Sequence, residues 1–226
     1  MATRSVFLVA PLDLASQILD RFIELPQDRL IKAARFHRLE DRHRCLLSGI
    51  LLRTALMRAG VCPDLDRLLR PGALGKPQFP QGLALHCNLS HSGGWVACVV
   101  HSHPVGVDVE TIDLVEPGMM KRIGTPSEQA WLMRQPKPEK TRAFFRLWTL
   151  KESLLKALGT GLSLDPRMVE LEETGKSGWK ASRTVGLDDL RSWQFREEHV
   201  DEGHALSICW SGAAPPPMEI IGCGSV

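Results

Sequence analysis

Asp108 and Glu110 stand two residues apart in the run Val105-Gly-Val-Asp-Val-Glu110, which alternates apolar and polar side chains. That period predicts a strand with Val107 and Val109 on one face and both carboxylates on the other. Further along, Trp148-Thr-Leu-Lys-Glu-Ser-Leu-Leu-Lys156 has helical spacing and carries a third acid, Glu152, with Lys151 beside it and Lys156 one turn later. Three carboxylates suit a hard divalent cation such as Mg²⁺, or Mn²⁺ in its place, which takes oxygen ligands and completes its shell with water and substrate phosphate. Lys151 and Lys156 would then neutralise a polyphosphate. Each element also has a plainer reading. The strand could be an edge with an acidic solvent face, and Glu152 with Lys156 could be a surface pair worth ~0.3 kcal/mol. Gly106 weighs against the first, because a missing side chain in a strand often marks a close approach by another element.

A second group lies upstream. Asn88-Leu-Ser-His-Ser-Gly-Gly94 reads as a turn whose Ser90 hydroxyl, His91 imidazole and backbone N–H groups suit an anion. Gly75-Lys-Pro-Gln-Phe79 sets Lys76 in a loop stiffened by Gly and Pro, where backbone could cradle a flat ring. No G-x-S-x-G nucleophile elbow is present, which removes the usual serine-hydrolase reading. His101 and His103, followed by Pro104, lack a nearby third soft ligand and read as surface residues.

These residues must be positioned by elements that the pattern of apolar positions predicts. Residues 41–59 carry Leu46, Leu47, Ile50, Leu51, Ala55 and Leu56 at helical spacing before Gly60, and two short strands follow, around 85–89 and 95–100. Residues 141–158 carry Phe144, Leu147, Trp148, Leu154, Leu155 and Leu158 before Gly159, and strands follow near 193–197 and 205–210. One helix on a small antiparallel sheet, twice over, predicts an α+β pseudo-dimer of two similar lobes with a ligand site between them. The lobes are expected over 1–104 and 105–226. Thr125-Pro-Ser-Glu128 predicts another helix, with Thr125 as N-cap and Glu128 closing a capping box.

Composition bounds the remainder. The chain has 226 residues, 43% of them hydrophobic, enough for one large or two small domains, and a net charge of +2 that does not point to nucleic acid. Basic charge is uneven, with eleven Lys/Arg against six Asp/Glu between Arg21 and Arg70, as a solvated face or an anion-binding segment would give. Six scattered cysteines without a C-x-x-C pair read as reduced thiols of a cytoplasmic protein. No apolar run is long enough for a membrane span, and the Pro-rich tail from Gly212 reads as a loose end.

The order of these motifs closely resembles the 4′-phosphopantetheinyl transferases, in particular the larger two-lobed type that activates surfactin synthetase. The matching stretches are Arg35-Phe-x-x-x-Glu-Asp41 with Arg44, Gly75-Lys-Pro77, Asn88-Leu-Ser-His-Ser-Gly93, Gly106-Val-Asp-Val-Glu110, Trp148-Thr-Leu-Lys-Glu152 with Lys156, and Gly161-Leu-Ser-Leu164. The resemblance implies that Asp108, Glu110 and Glu152 bind magnesium, with Glu152 also a candidate base. It places Lys151 and Lys156 near the coenzyme A pyrophosphate, and Arg29, Lys32, Ser90 and His91 near the nucleotide phosphates. Gly75 and Lys76 would meet adenine, and Glu128 would lie near the metal. Cys45 departs from the threonine that the surfactin type carries near the 3′-phosphate, and a thiol is a poor donor.

The implied activity is that of a holo-acyl-carrier-protein synthase: the phosphopantetheine arm of coenzyme A moves to a serine of an apo acyl or peptidyl carrier protein, releasing adenosine 3′,5′-bisphosphate. Carriers of peptide, polyketide or fatty-acid synthases are the expected partners of a monomer that uses neither nucleic acid nor membrane. Two rivals remain open: a metal-dependent nuclease, which usually sets its E-x-K on a strand, and a non-catalytic module that holds coenzyme A or a carrier.

Overall fold

The computed structural model describes residues 5–72, 76–80, 83–175, 178–184, 190–215 and 217–225. In chain order the elements are strand β1 (Ser5–Pro11), helices α1 (Leu14–Gln17), α2 (Gln27–Ala34) and α3 (Leu39–Arg58), and strands β2 (Arg70–Pro71), β3 (Pro77–Gln78), β4 (His86–Ser92), β5 (Trp95–His101) and β6 (Val105–Thr111). Helices α4 (Met119–Ile123), α5 (Pro126–Arg134) and α6 (Lys140–Leu158) follow. The chain ends with strands β7 (Val169–Thr174), β8 (Gly178–Thr184), β9 (Gln194–Glu198), β10 (His204–Trp210) and β11 (Glu219–Ile220). The architecture is α+β, with several small sheets and helices. It forms two compact units, Met1–His103 with Pro215–Val226, and Pro104–Ala214.

The first unit is a sheet of order β11-β1-β5-β4 covered by α3. The α3 stripe of Leu47, Ile50, Leu51, Ala55 and Leu56 is buried against Leu8, Val96, Cys98 and Val100 of the sheet. Three sequence expectations change here. His101, read as a surface residue, is buried at the end of β5 with 0% of it exposed. The tail is not a loose end: β11 pairs parallel with β1, the Ile221 N–H donates to the Val9 carbonyl at 2.8 Å, and Ile221 is buried. The expected Ser90–Gly94 turn is shorter, because Ser90, His91 and Ser92 are strand residues paired with Ala97, Val96 and Trp95. Only Gly93 and Gly94 turn the chain, and Gly93 takes a φ of +51°, which suits a two-residue hairpin led by glycine.

In the second unit β6, β10 and β9 form an antiparallel sheet, with α6 across one face. A hairpin of β7 and β8 completes a core of Leu147, Leu150, Leu154, Leu171, Trp179 and Phe195. Gly159 ends α6 at φ +76°, a left-handed C-cap that favours glycine. All six cysteines are free thiols, and among the described residues no helix is long and apolar enough to cross a membrane.

Candidate active site

Gly106 decides how closely α6 approaches β6. A Cβ there would lie 2.0 Å from the Ser153 carbonyl oxygen and 2.5 Å from the Ala157 nitrogen, so the helix backbone lies directly on the strand. Side chains alternate along β6, and the face that Gly106 presents to α6 therefore also carries Asp108 and Glu110. The predicted strand and its two-acid face are present, but that face is not solvated: Asp108 is only 2% exposed. On α6, Thr149, Glu152 and Lys156 fall at i, i+3 and i+7 and share one side of the helix.

Those two faces meet. The Lys156 ammonium donates to Asp108 Oδ1 at 2.5 Å. Beside it the Thr149 and Ser207 hydroxyls share a hydrogen bond of 2.8 Å, and Ser207 is the β10 residue directly opposite Asp108. Glu152 is pushed up to about 7, by burial first and then by the negative charge of Asp108, with Lys156 opposing and Glu110 adding to the rise. Glu152 Oε1 is buried and accepts no hydrogen bond among the described residues. A carboxyl held near neutrality can take a proton at physiological pH, which is what a general base requires.

Crowded carboxylates also fit a divalent cation by charge and donor type, since hard cations prefer oxygen ligands. Among the described residues, however, no three acidic, histidine or cysteine groups are gathered into a set arranged to hold a metal ion. Lys156 occupies the Asp108 carboxylate instead.

Lys151 is not brought to this cluster. Its ammonium donates to the carbonyls of Pro166 at 2.8 Å and Val169 at 2.6 Å and pairs with Glu128 at 2.9 Å, with 1% of the residue exposed. Burial lowers its pKa, while Glu128 opposes that shift. Its three ammonium protons are matched by three oxygens inside the protein. Glu128 likewise lies with Lys151 rather than with the other acids. It closes the predicted capping box with Thr125, accepting from the Thr125 N–H at 2.7 Å, and it also accepts from the Leu171 N–H at 2.8 Å. Helical spacing held a clue to this, for Lys151 lies at i+4 from Leu147 and i−4 from Leu155, on the apolar stripe.

The nucleotide residues expected in the first half belong to the first unit. Arg29 donates to the Cys45 carbonyl at 3.1 Å and packs over Gly49, where a Cβ would meet its side chain at 2.5 Å. Lys32 is exposed, Ser90 is buried in β4, and His91 is exposed on the same strand. Lys76 lies near enough to His86 to add to the lowering of its pKa, after burial. Gly75 lies outside the described residues. Arg44, absent from the expected site set, holds the hairpin turn through two hydrogen bonds to the Gly93 carbonyl, at 2.9 and 3.2 Å, while pairing with Asp41 at 2.7 Å. Thr149, also outside that set, is signalled in the sequence by a hydroxyl one turn from Glu152 amid apolar neighbours.

Comparison with known proteins places the chain in a family. The family described as "4'-phosphopantetheinyl transferase superfamily" matches residues 104–209, nearly all of the second unit. The chain is 32% identical over 194 residues to 4'-phosphopantetheinyl transferase Sfp of Bacillus subtilis, covering 84% of each protein. It is 34% identical to 4'-phosphopantetheinyl transferase gsp of Aneurinibacillus migulanus, over 77% of this chain and 71% of that one. Against 4'-phosphopantetheinyl transferase HetI of Nostoc it is 36% identical, over 87% of this chain and 83% of that protein. With acids and lysines on a strand and helix of the matched region, and relatives aligned over most of their length, this chain belongs to the 4′-phosphopantetheinyl transferase superfamily.

Proposed function

We propose that this chain acts as a holo-acyl-carrier-protein synthase, transferring the 4′-phosphopantetheine arm of coenzyme A to a serine of an apo carrier protein. The observation that carries the reading is the meeting of Glu152 and Lys156 with Asp108 and Glu110 where α6 crosses β6. Asp108, Glu110 and Glu152 would hold Mg²⁺ or Mn²⁺, which when bound supplies Lewis-acid polarisation and charge neutralisation at the pyrophosphate. Glu152, directly or through a water, takes the proton of the carrier serine hydroxyl. The serine oxygen then bonds to the β-phosphorus as the bridging bond to the α-phosphate breaks, and adenosine 3′,5′-bisphosphate leaves. Lys156 stabilises the charge that collects on the departing phosphate. Phosphoryl transfer asks a protein mainly for positioning and charge stabilisation, and these residues supply both.

The finer parts of the reading stand with it. Residues 1–104, with Arg29, Lys32, Lys76, Ser90 and His91, would bind the nucleotide, and 105–226 would carry the chemistry. Each unit taken by itself is one long helix on a small sheet, mixed in the first unit and antiparallel in the second, a likeness that supports two similar lobes. Lys32, Arg35, Arg38 and Arg42 are exposed and would attract a carrier that is acidic around its serine. A monomer in the cytoplasm, serving peptide, polyketide or fatty-acid synthases, completes the proposal.

Intact-mass analysis of apo carriers incubated with coenzyme A and Mg²⁺ tests it. A gain of roughly 340 Da, the transferred arm of the donor, is expected. Glu152→Gln should slow loading by about 100- to 10,000-fold, the usual contribution of a positioned general base. No gain on any of several carriers would refute the transfer, and loading by the Gln variant at the parent rate would remove Glu152 from it.

A further inference from the structure

We propose that Lys151 is a positioning residue that sets the rotation of α6, and that it makes no contact with the coenzyme A phosphates. The proposal rests on the transferase reading above and assigns a different task to the lysine next to its candidate base. An ammonium has three protons, and Lys151 has three oxygen partners: the Pro166 and Val169 carbonyls and Glu128 Oε2, at 2.8, 2.6 and 2.9 Å. Glu128 is itself fixed, through the Thr125 and Leu171 N–H groups at 2.7 and 2.8 Å. One side chain of α6 is thereby tied to the start of α5, to β7 and to the turn at Pro166–Met168.

The geometric consequence falls on the next residue. Successive helix residues are turned by about 100°, so fixing the direction of Lys151 fixes that of Glu152. Apolar packing by Leu147, Leu150 and Leu154 tolerates small rotations, whereas hydrogen bonds with defined partners do not. On the side that carries Glu152, the Thr149–Ser207 hydroxyl pair at 2.8 Å gives a second polar pin. A carboxylate carried about 6 Å from the helix axis moves by about 1 Å for a 10° rotation, and a misplacement of that size can cost about 100-fold in rate.

The double variant Lys151→Met with Glu128→Gln removes the tie and leaves no buried unpaired charge. Turnover at saturating coenzyme A should fall by about 100-fold, while the calorimetric Kd for coenzyme A stays within twofold of the parent. A Kd raised by tenfold or more with kcat unchanged would make Lys151 a phosphate ligand and overturn the proposal, as would no change in either. Amine labelling of the unmodified protein, mapped by peptide mass, gives a reading that depends on no variant. Lys151 should resist the reagent with and without coenzyme A, whereas Lys156 should react and be shielded by coenzyme A. Lys151 that reacts in the free protein and is shielded by coenzyme A overturns the proposal too. A parent that neither binds coenzyme A nor loads a carrier refutes the transferase reading, and the labelling still reports on Lys151.

Discussion

Two polar clusters flank α6, and they are built in opposite ways. Around Lys151 and Glu128 each charge is matched: the ammonium has three oxygen acceptors, and the carboxylate accepts from two backbone N–H groups besides. Around Glu152 burial and the charges of Asp108 and Glu110 act against one lysine, the carboxyl is pushed up to about 7, and its Oε1 accepts no hydrogen bond among the described residues. Both clusters include residues from the same short stretch of helix. The matched cluster ties elements together, and the crowded one leaves a carboxyl whose charge its neighbours oppose. A buried carboxyl with a raised pKa and an unpartnered oxygen, as Glu152 is, marks a place where function is expected.

The sharpest way to break this contrast is to delete a partner from the matched cluster. Glu128→Ala leaves a buried ammonium without its counter-charge, at a cost of about 3–5 kcal/mol, and it removes the Glu128 half of the capping box while the Thr125 hydroxyl cap stays. Urea unfolding should show a loss of that order. A loss below about 1 kcal/mol would mean that the pair is not holding α6. Next in size is Gly106→Ala, whose new Cβ would meet the Ser153 carbonyl oxygen at 2.0 Å and the Ala157 nitrogen at 2.5 Å. Both atoms belong to helix backbone and cannot swing aside, so α6 must lift. Stability should fall by about 1–3 kcal/mol and turnover by about 100-fold. Unchanged turnover would detach catalysis from the seating of the helix on the strand.

The acidic half of this contrast was legible in the sequence, and the matched half was only partly so. Period-two alternation located β6, helical spacing ended by Gly159 located α6, and Thr125-Pro-Ser-Glu128 announced its capping box, because each signal is written within a few neighbouring residues. The partners of Lys151 come from α5, the turn at Pro166 and β7, and no local rule connects them. Read locally, Lys151 suits a phosphate, although it lies on the apolar stripe with Leu147 and Leu155. Tertiary pairing also decided other departures, among them His101, which reads as a surface residue yet is buried in β5 between β1 and β4. Ser90, His91 and Ser92 have turn-like composition, yet they continue β4 because β5 pairs with them. The Pro-rich tail is ordered by parallel pairing with β1, from the opposite end of the chain.

Glu152→Gln should produce the smallest change in stability and one of opposite sign. The carboxyl has a pKa of about 7 in the folded protein against an ordinary 4.5. Between those values the unfolded chain gives up the proton that the folded chain keeps, so this group's contribution is present below about 4.5 and is lost as pH rises through about 7. A neutral glutamine does not titrate and escapes that loss. With the partial solvent access of Glu152 discounted, the variant should gain about 1 kcal/mol at pH 8, or about 2–4 °C in Tm, and show no gain at pH 4. Mg²⁺ at pH 8 should raise the Tm of the parent more than that of the variant, because a cation relieves only the charged cluster. A variant less stable than its parent at pH 8 would mean that the acids are not in conflict, and the contrast between the two sides of α6 would fail.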